Sequence, residues 1–396
     1  GKECLPMILT LGTLMNRIEA AAPDEQFTYF MPTATGPCRF GVYHSMHKIA
    51  LERAGLGERV PIVSPDDKDY FREMSVNFTV RLWLGFVVHD LLQLMLFDAW
   101  PAERDPGAAQ AVHDRYEAEH LANLERRGGS STVAALAELG GGMWGMRDLV
   151  RRAARDFARV KDAGRDVPTV AVVGEIYVRL DPFANDFLIA KLVERGIRAR
   201  FAPFIEWLEY TTHLAGVRVL ERRALEDDNP LSIAVTRLVQ RASADVLYGI
   251  CDEALGWGPR TGVEDTLRMA RPYLHPGLRG EAALTLGGPL HEFEQGEVEG
   301  VVMVGPHECM PCKVAEAQYG KAAEDCGIPY LSVPVNGDPI DTEILDRFCY
   351  DIHENHGRRT EQAAPASRAR RLVGGEPGRS RVSLPVVDDV PWARAE

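Results

Sequence analysis

The sequence has no excess of basic charge: its 396 residues carry a formal net charge of −13. A protein devoted to nucleic acid needs a basic face to displace counterions, so that partner class is set aside. Long uninterrupted apolar runs are also lacking. The best candidate for a membrane span, VRLWLGFVVHDLLQLMLF, is broken by Arg81, His89, Asp90 and Gln93. No stretch reads as a signal peptide, so a cytoplasmic protein without a membrane partner is expected. There is no GxxxxGK[ST] loop, and no nucleotide is expected to be bound by this chain. Internal repeats are absent too. The chain starts at Gly1 rather than Met, which reads as a piece of a longer polypeptide.

What is present is ordinary for a globular protein: 45% apolar and 26% charged residues. The length is enough for two domains plus appendages. Seven cysteines, at 4, 38, 251, 309, 312, 326 and 349, are not expected to form a disulfide framework in a cytosolic chain. Metal binding, redox chemistry and plain burial remain open. Three of them share a local grammar: Cys4 in GKECLP, Cys38 in GPCRFG and Cys309 in GPHECMPCKV. Each sits beside Pro, Gly or both, just ahead of a helix-like segment. A thiol there is held on a stiff turn and faced by unpaired backbone N–H groups, which favour the thiolate and any anionic cluster it binds.

In chain order, the spacing predicts a helix over 5–22, a short strand at 27–31, a helix through RFGVYHSMHKIALERAGLG and a strand at 60–63. That is the unit of a parallel α/β sheet. Residues 68–164 read as mostly helical, with GGGMWG (140–145) as a loop rather than a phosphate cradle. A second α/β region opens with the buried strand pattern TVAVVGEIYV (169–178). DPFANDFLIAKLVERG follows as a helix, with Asp181 as N-cap and Gly196 as its stop. IRARFAP, GVVMVG and IPYLSVPV are further strands, with helices between them and a last helix over PIDTEILDRFCYDIHENHG. The domain expectation is therefore a first α/β region at 1–100, a helical connector at 101–166, a second α/β region at 167–356 and a disordered tail at 357–396.

ECLP, MPTATGPCRFGVY, VPIVSP, VGEIYVRLDPFANDFL, APFIEWLEY and GPHECMP together resemble the cluster-bearing subunits of the 2-hydroxyacyl-CoA dehydratase and benzoyl-CoA reductase family. The branch linked to the large CoA-enzyme activase proteins is the nearest in kind. The resemblance covers 1–65 and 168–355, and the middle matches only as generic helix. It implies two Rossmann-like three-layer α/β domains, a helical connection and a 4Fe–4S cluster in the cleft between the domains. Carried over by motif, the metal ligands would be Cys4, Cys38 and Cys309, leaving one iron open. Thiolates suit such clusters, and an open iron acts as a Lewis acid or one-electron donor. The implied partner is an ATP-hydrolysing activase that supplies a low-potential electron, the implied ligand an acyl-CoA, and the implied assembly a dimer or hetero-oligomer. ATP hydrolysis would belong to that partner or to a missing N-terminal part. Family subunits carry a strand–helix unit before the first cysteine, so the first domain is expected to be incomplete. Cys312, Cys326 and Cys349 raise a double-cubane variant, and a non-catalytic regulatory or assembly partner of the activase is the alternative function.

Other residues carry two readings each. Arg39 is a neutraliser of cluster charge or a CoA-phosphate contact, against simple exposure. Glu175, Tyr177, Arg179 and Asn185 stand at a strand end, where α/β sheets bind ligands; Glu175 and Asn185 are taken with Arg39 as cofactor-binding candidates. Cys251 and Cys326 read as core thiols, and Cys312 as spectator or supporting ligand. His44 and His47 favour a helix face over a metal pair, and His353 and His356 complement a helix C-terminus. His307 and Glu308 could move a proton near Cys309. Trp83 and its apolar neighbours read as a core or interface helix.

Overall fold

The computed structural model describes residues 4–34, 36, 38–66, 74–126, 131–221 and 229–371, with 360–371 described by backbone alone. Helix α1 (Leu5–Glu19) begins directly after an extended Cys4, with Pro6 in its first turn, where a missing N–H is harmless. Strand β1 (Tyr29–Phe30) leads through a loop and a 3₁₀ turn (Arg39–Val42) into α2 (Tyr43–Arg53). The helix stops at Gly55, φ +72°, and the chain returns as β2 (Ile62–Val63), parallel to β1. The expected strand–helix–strand unit is therefore present. Among the described residues its sheet has two strands, and Leu14, Ile18, Leu51 and Val60 form its small core.

Four helices follow: α3 (Val76–Ala99), α4 (Ala108–Glu125), α5 (Thr132–Gly140) and α6 (Met146–Val160). The GGGMWG stretch is the turn into α6, with Met143, Trp144 and Gly145 at positive φ. The second half contains β3 (Thr169–Gly174), α7 (Ile176–Leu180), α8 (Leu188–Glu194), β4 (Arg198–Phe201), α9 (Ile205–Leu220), α10 (Pro230–Leu255), α11 (Val263–Ala270) and α12 (Ala282–Glu294). It closes with β5 (Gly300–Pro306), α13 (Met310–Cys326), β6 (Tyr330–Val335) and α14 (Thr342–Arg371).

The strands β4–β3–β5–β6 form one parallel sheet. Side chains alternate between its faces. Ala171, Val173, Val301 and Met303 pack with α11, α12 and α13, whereas Val170, Val172, Val302 and Val304 pack with α8 and α14. Helices thus cover both faces, which is why β3 and β5 read as unbroken apolar runs. The fold is mixed α/β with parallel sheets, as expected.

Helix α3 is apolar on every side and meets the length and composition of a membrane span. In this fold it is the centre of a helical cluster, packed by α4, α6, α9 and α10, with Leu84, Val87, Val88, Leu92 and Met95 fully buried. Each such side chain contributes about 1.5–3 kcal/mol. Trp83 belongs to this core, and its indole N–H donates to Ser243 Oγ at 2.9 Å.

Three boundaries differ from the sequence reading. Strand β3 ends at Gly174, because Glu175 turns the chain into α7. Asp181 caps a turn through Ala184 N–H (2.7 Å), and α8 starts only at Leu188, after Asp186 and Phe187 adopt left-handed conformations. Helix α14 continues to Arg371, so the expected disordered tail is helical over 357–371; residues 372–396 lie outside the described residues.

Gly174 (φ +116°) ends β3 against Val304 of β5. A Cβ there would stand 2.0 Å from Val304 O. Gly174→Ala should therefore destabilise the protein by more than about 3 kcal/mol, since backbone strain and a backbone clash coincide. Urea denaturation checks this: an unchanged midpoint would show that the sheet relaxes without cost.

Candidate functional site

The three cysteines singled out by motif occupy one structural position three times. Cys4 is the N-cap of α1, Cys38 the N-cap of the 3₁₀ turn before α2, and Cys309 the N-cap of α13. All are extended, at φ/ψ of −72°/126°, −72°/133° and −64°/113°. An N-cap side chain lies over the first turn, where backbone N–H groups lack helical partners. Cys38 Sγ accepts from Phe40 N–H at 3.5 Å, and Cys4 Sγ accepts from the Tyr43 hydroxyl at 2.8 Å. Cys309 lies near enough to both that its charge raises each of their thiols, after burial, which is the main cause. Burial pushes Cys38 up to about 12. Cys309 is held below the usual thiol value, first by the Cys312 thiol that hydrogen-bonds it, against burial.

Arg39 ties the N-terminal unit to the Cys309 loop. Its Nη2 donates to the carbonyls of His307 (3.4 Å) and Glu308 (3.1 Å). Glu308 is in the left-handed region, φ +56°. His307 and Glu308 thus serve this contact through their backbone.

At the neighbouring strand end, Glu175 is the N-cap of α7. Its Oε2 accepts from Val178 N–H at 2.7 Å, while its own N–H donates to Val304 O at 3.0 Å. The connections after β3 and β5 leave to opposite faces of the sheet, so Glu175 and Cys309 flank its topological switch point, where such sheets bind ligands. Arg179 is buried behind them, donating to Gly174 O (3.1 Å) and Pro203 O (3.3 Å). Its charge is felt at Asp90, Glu175, Glu206 and Glu281. Burial raises all four carboxyls nonetheless, Asp90 to about 6 and Glu206 to about 7; at Glu281 the nearby Glu175 adds to it. Glu281 escaped the sequence reading, because it sits in a helical stretch with no local signature.

Asn185 is a correction. Its Nδ2 donates to Val178 O (2.9 Å) and Arg179 O (3.3 Å), and its Oδ1 accepts from Leu188 N–H (3.1 Å). Only 2% exposed, it braces the turn between α7 and α8 and does not face the cavity.

A cavity of about 690 Å³ opens beside these groups. Cys38, Tyr43, Glu175, Glu281 and Pro311 line one side. The remaining wall is apolar, with Phe30, Phe78, Phe86, Phe204, Trp207 and Leu214, and Arg218 and Arg279 contribute positive charge. A second cavity of about 610 Å³ lies along the β4 edge, where cations pair with carboxylates: Arg200 with Glu292 (3.0 Å), Lys161 and Arg198 with Asp98 (2.6 and 3.1 Å), Arg260 with Glu209 (2.7 Å).

The other cysteines do not gather into a second cluster set. Cys312 is buried on the α13 face, Cys326 bonds Ala322 O at 3.0 Å at that helix's far end, and Cys349 is buried on the opposite face of the sheet. Cys251 is a core thiol, as expected. His47 Nε2 is bonded to Met7 O (3.0 Å) and its ring stands between Tyr29 and Tyr43, so it does not pair with His44 around a metal. His353 bonds Arg195 O (2.8 Å) and His356 meets Glu299 (2.9 Å).

The raised carboxyls give stability a sign with pH. A carboxyl whose folded pKa exceeds its unfolded one favours folding below the ordinary carboxylate range, and that contribution is lost as pH rises through the folded value. Glu206, accepting from Thr266 Oγ1 at 3.3 Å, should lose it approaching about 7. Glu206→Gln is expected to flatten the fall in urea midpoint between about pH 5 and pH 8. Parallel pH profiles for wild type and variant would refute this. Compared with models of known protein families, with curated proteins and with solved structures, the chain matches none.

Proposed function

We propose that this protein is an iron–sulfur protein working in ATP-driven, low-potential electron transfer toward acyl-CoA dehydration or reduction. In this reading two Rossmann-like domains face each other across the cavity, and Cys4, Cys38 and Cys309 hold one 4Fe–4S cluster there. The observation that carries it is the repeated N-cap placement of these three cysteines, with Cys38 on the wall of the cavity. The donor set fits the group: three thiols, Cys4 and Cys309 buried and Cys38 partly so, stand at helical N-termini, whose field favours an anionic centre. Among the described residues no three His, Cys, Asp or Glu side chains stand close enough to hold a single metal ion. That bears on a mononuclear site, since a cubane spaces its thiolates more widely than one ion does.

When bound, such a cluster supplies one-electron transfer and an open iron for a carbonyl oxygen. The chain's own residues do the rest. Arg39 sets a positive charge beside the cluster loop while fixing it through two carbonyls. Glu175 and Glu281 are the proton-bearing groups on the cavity wall, and the aromatic side excludes water from the thioester's acyl group. Arg218 and Arg279 offer charge for the phosphates of CoA. The electron would come from an activase that hydrolyses ATP, because this chain has no phosphate-cradling loop of its own.

Iron and acid-labile sulfide, measured on protein purified without oxygen, test the site. About four irons per chain, lost in both Cys38→Ala and Cys309→Ala, are expected. No iron after reconstitution would overturn the assignment. With the cluster present, acyl-CoA turnover with activase and reductant tests catalysis, and its failure would leave a regulatory partner of the activase.

A further inference from the structure

The three motif thiols are chemically unequal. Cys38 Sγ accepts from a backbone N–H at 3.5 Å, whereas Cys4 Sγ accepts from a phenol, the Tyr43 hydroxyl, at 2.8 Å. Tyr43 closes the motif MPTATGPCRFGVY, and nothing said so far gives it a task. It is 4% exposed and Cys4 7%, so little water competes for the sulfur.

Both ends of this contact are held. Tyr43 opens α2, and His47 follows one turn later on the same face. The His47 Nε2 is bonded to Met7 O at 3.0 Å, and Met7 lies in the first turn of α1, whose N-cap is Cys4. Two side chains one turn apart on α2 therefore grip the first turn of α1, one at its sulfur and one at its backbone. The Tyr43 ring is packed edge-on against Phe40, centroids 5.2 Å apart, with the His47 ring at 6.2 Å on a tilt. Met31 completes the buried group around Cys4 and Tyr43. A phenol held this way keeps its hydroxyl on the sulfur without first losing rotamer freedom.

We propose that Tyr43 is a positioning residue for the cluster, acting through Cys4: its hydroxyl stabilises the reduced centre and raises its reduction potential. This rests on the reading that Cys4 is a cluster ligand. A phenol titrates at about 10, so the donor keeps its proton at neutral pH. Reduction adds an electron to the cluster, and part of that charge falls on the thiolate sulfurs. A hydrogen bond to sulfur strengthens as the sulfur becomes more negative, so it favours the reduced form over the oxidised one. Burial acts in the opposite sense, because a low-dielectric site resists added negative charge. Tyr43 offsets that resistance at one of the three ligands and keeps the centre within reach of an external electron donor.

The test is a redox titration of the iron-loaded full chain, followed by its visible spectrum. Tyr43→Phe should keep about four irons and move the midpoint to a more negative potential. Tyr29→Phe should titrate as wild type does, because Tyr29 packs in the same group without its hydroxyl on the sulfur. 3-Fluorotyrosine placed at position 43 keeps the shape and makes the phenol a stronger donor, so the midpoint should move the other way. That protein decides the matter where Tyr43→Phe fails to fold or to hold iron. Electron–nuclear double resonance on the reduced wild type should show an exchangeable proton that Tyr43→Phe lacks. A midpoint left unmoved by 3-fluorotyrosine, or by Tyr43→Phe at full iron content, would overturn the proposal and leave the cluster reading standing. Wild-type protein that takes up no iron would overturn both.

Discussion

Arg179 is the charge around which the two halves of the molecule close. It leaves α7 just after the switch point of the sheet, yet the carboxyls it influences come from four elements: Asp90 on α3, Glu175 at the end of β3, Glu206 on α9 and Glu281 before α12. Its guanidinium is also bonded to the carbonyls of Gly174 and Pro203, which bracket the β3–β4 excursion. Removing one partner from such a buried set costs on the order of 3–5 kcal/mol, because the remaining charges lose their compensation. Burial still dominates, and the carboxyls rise. The cavity wall is thus lined by groups that keep their protons at pH values where surface carboxylates have lost theirs.

Helix N-termini set the rest of the site. Each of the three motif cysteines ends an extended segment and begins a helical turn, where the first N–H groups have no carbonyl of their own, and Cys38 Sγ accepts from one of them. This arrangement was visible in the sequence, because Cys beside Pro or Gly before a helical pattern is a local signal. The parallel sheet was equally legible: β3 and β5 are buried on both faces and leave near-continuous apolar runs, and Gly196 and Gly327 mark helix ends by their left-handed conformations.

What the sequence hid depends on neighbours distant in the chain. The run IYV after Gly174 has strand propensity, but the Glu175 side chain caps the next turn and diverts it into α7. Asn185 has a binding residue's chemistry, and only its three short-range bonds reveal that its capacity is spent inside the turn. Glu281 has no motif at all, and it matters because α12 brings it opposite Glu175. Arg179 looked like one of several strand-end residues; its role exists only once α3, α9 and α12 are assembled around it. Local grammar specified the helices and strands, whereas the electrostatics of the cavity are a product of their packing.

The Cys309 loop shows how the two units depend on each other. Glu308 is a non-glycine residue in the left-handed region, a conformation that costs about 1–2 kcal/mol. Hydrogen bonds from a charged donor are worth about 1.5–3 kcal/mol each, less at an exposed position. Arg39 makes two of these, at 3.1 and 3.4 Å, to the carbonyls on either side of the strained bond pair. Even discounted for solvent, they match the strain, so the loop keeps this shape while the N-terminal unit is docked. Undocking would release the strain and the hydrogen bonds together and withdraw Cys4 and Cys38 from Cys309. Arg39 thus adds to the packing of Leu5 and Leu9 on the sheet core in holding the N-terminal unit, and with it Cys4 and Cys38, beside the Cys309 loop.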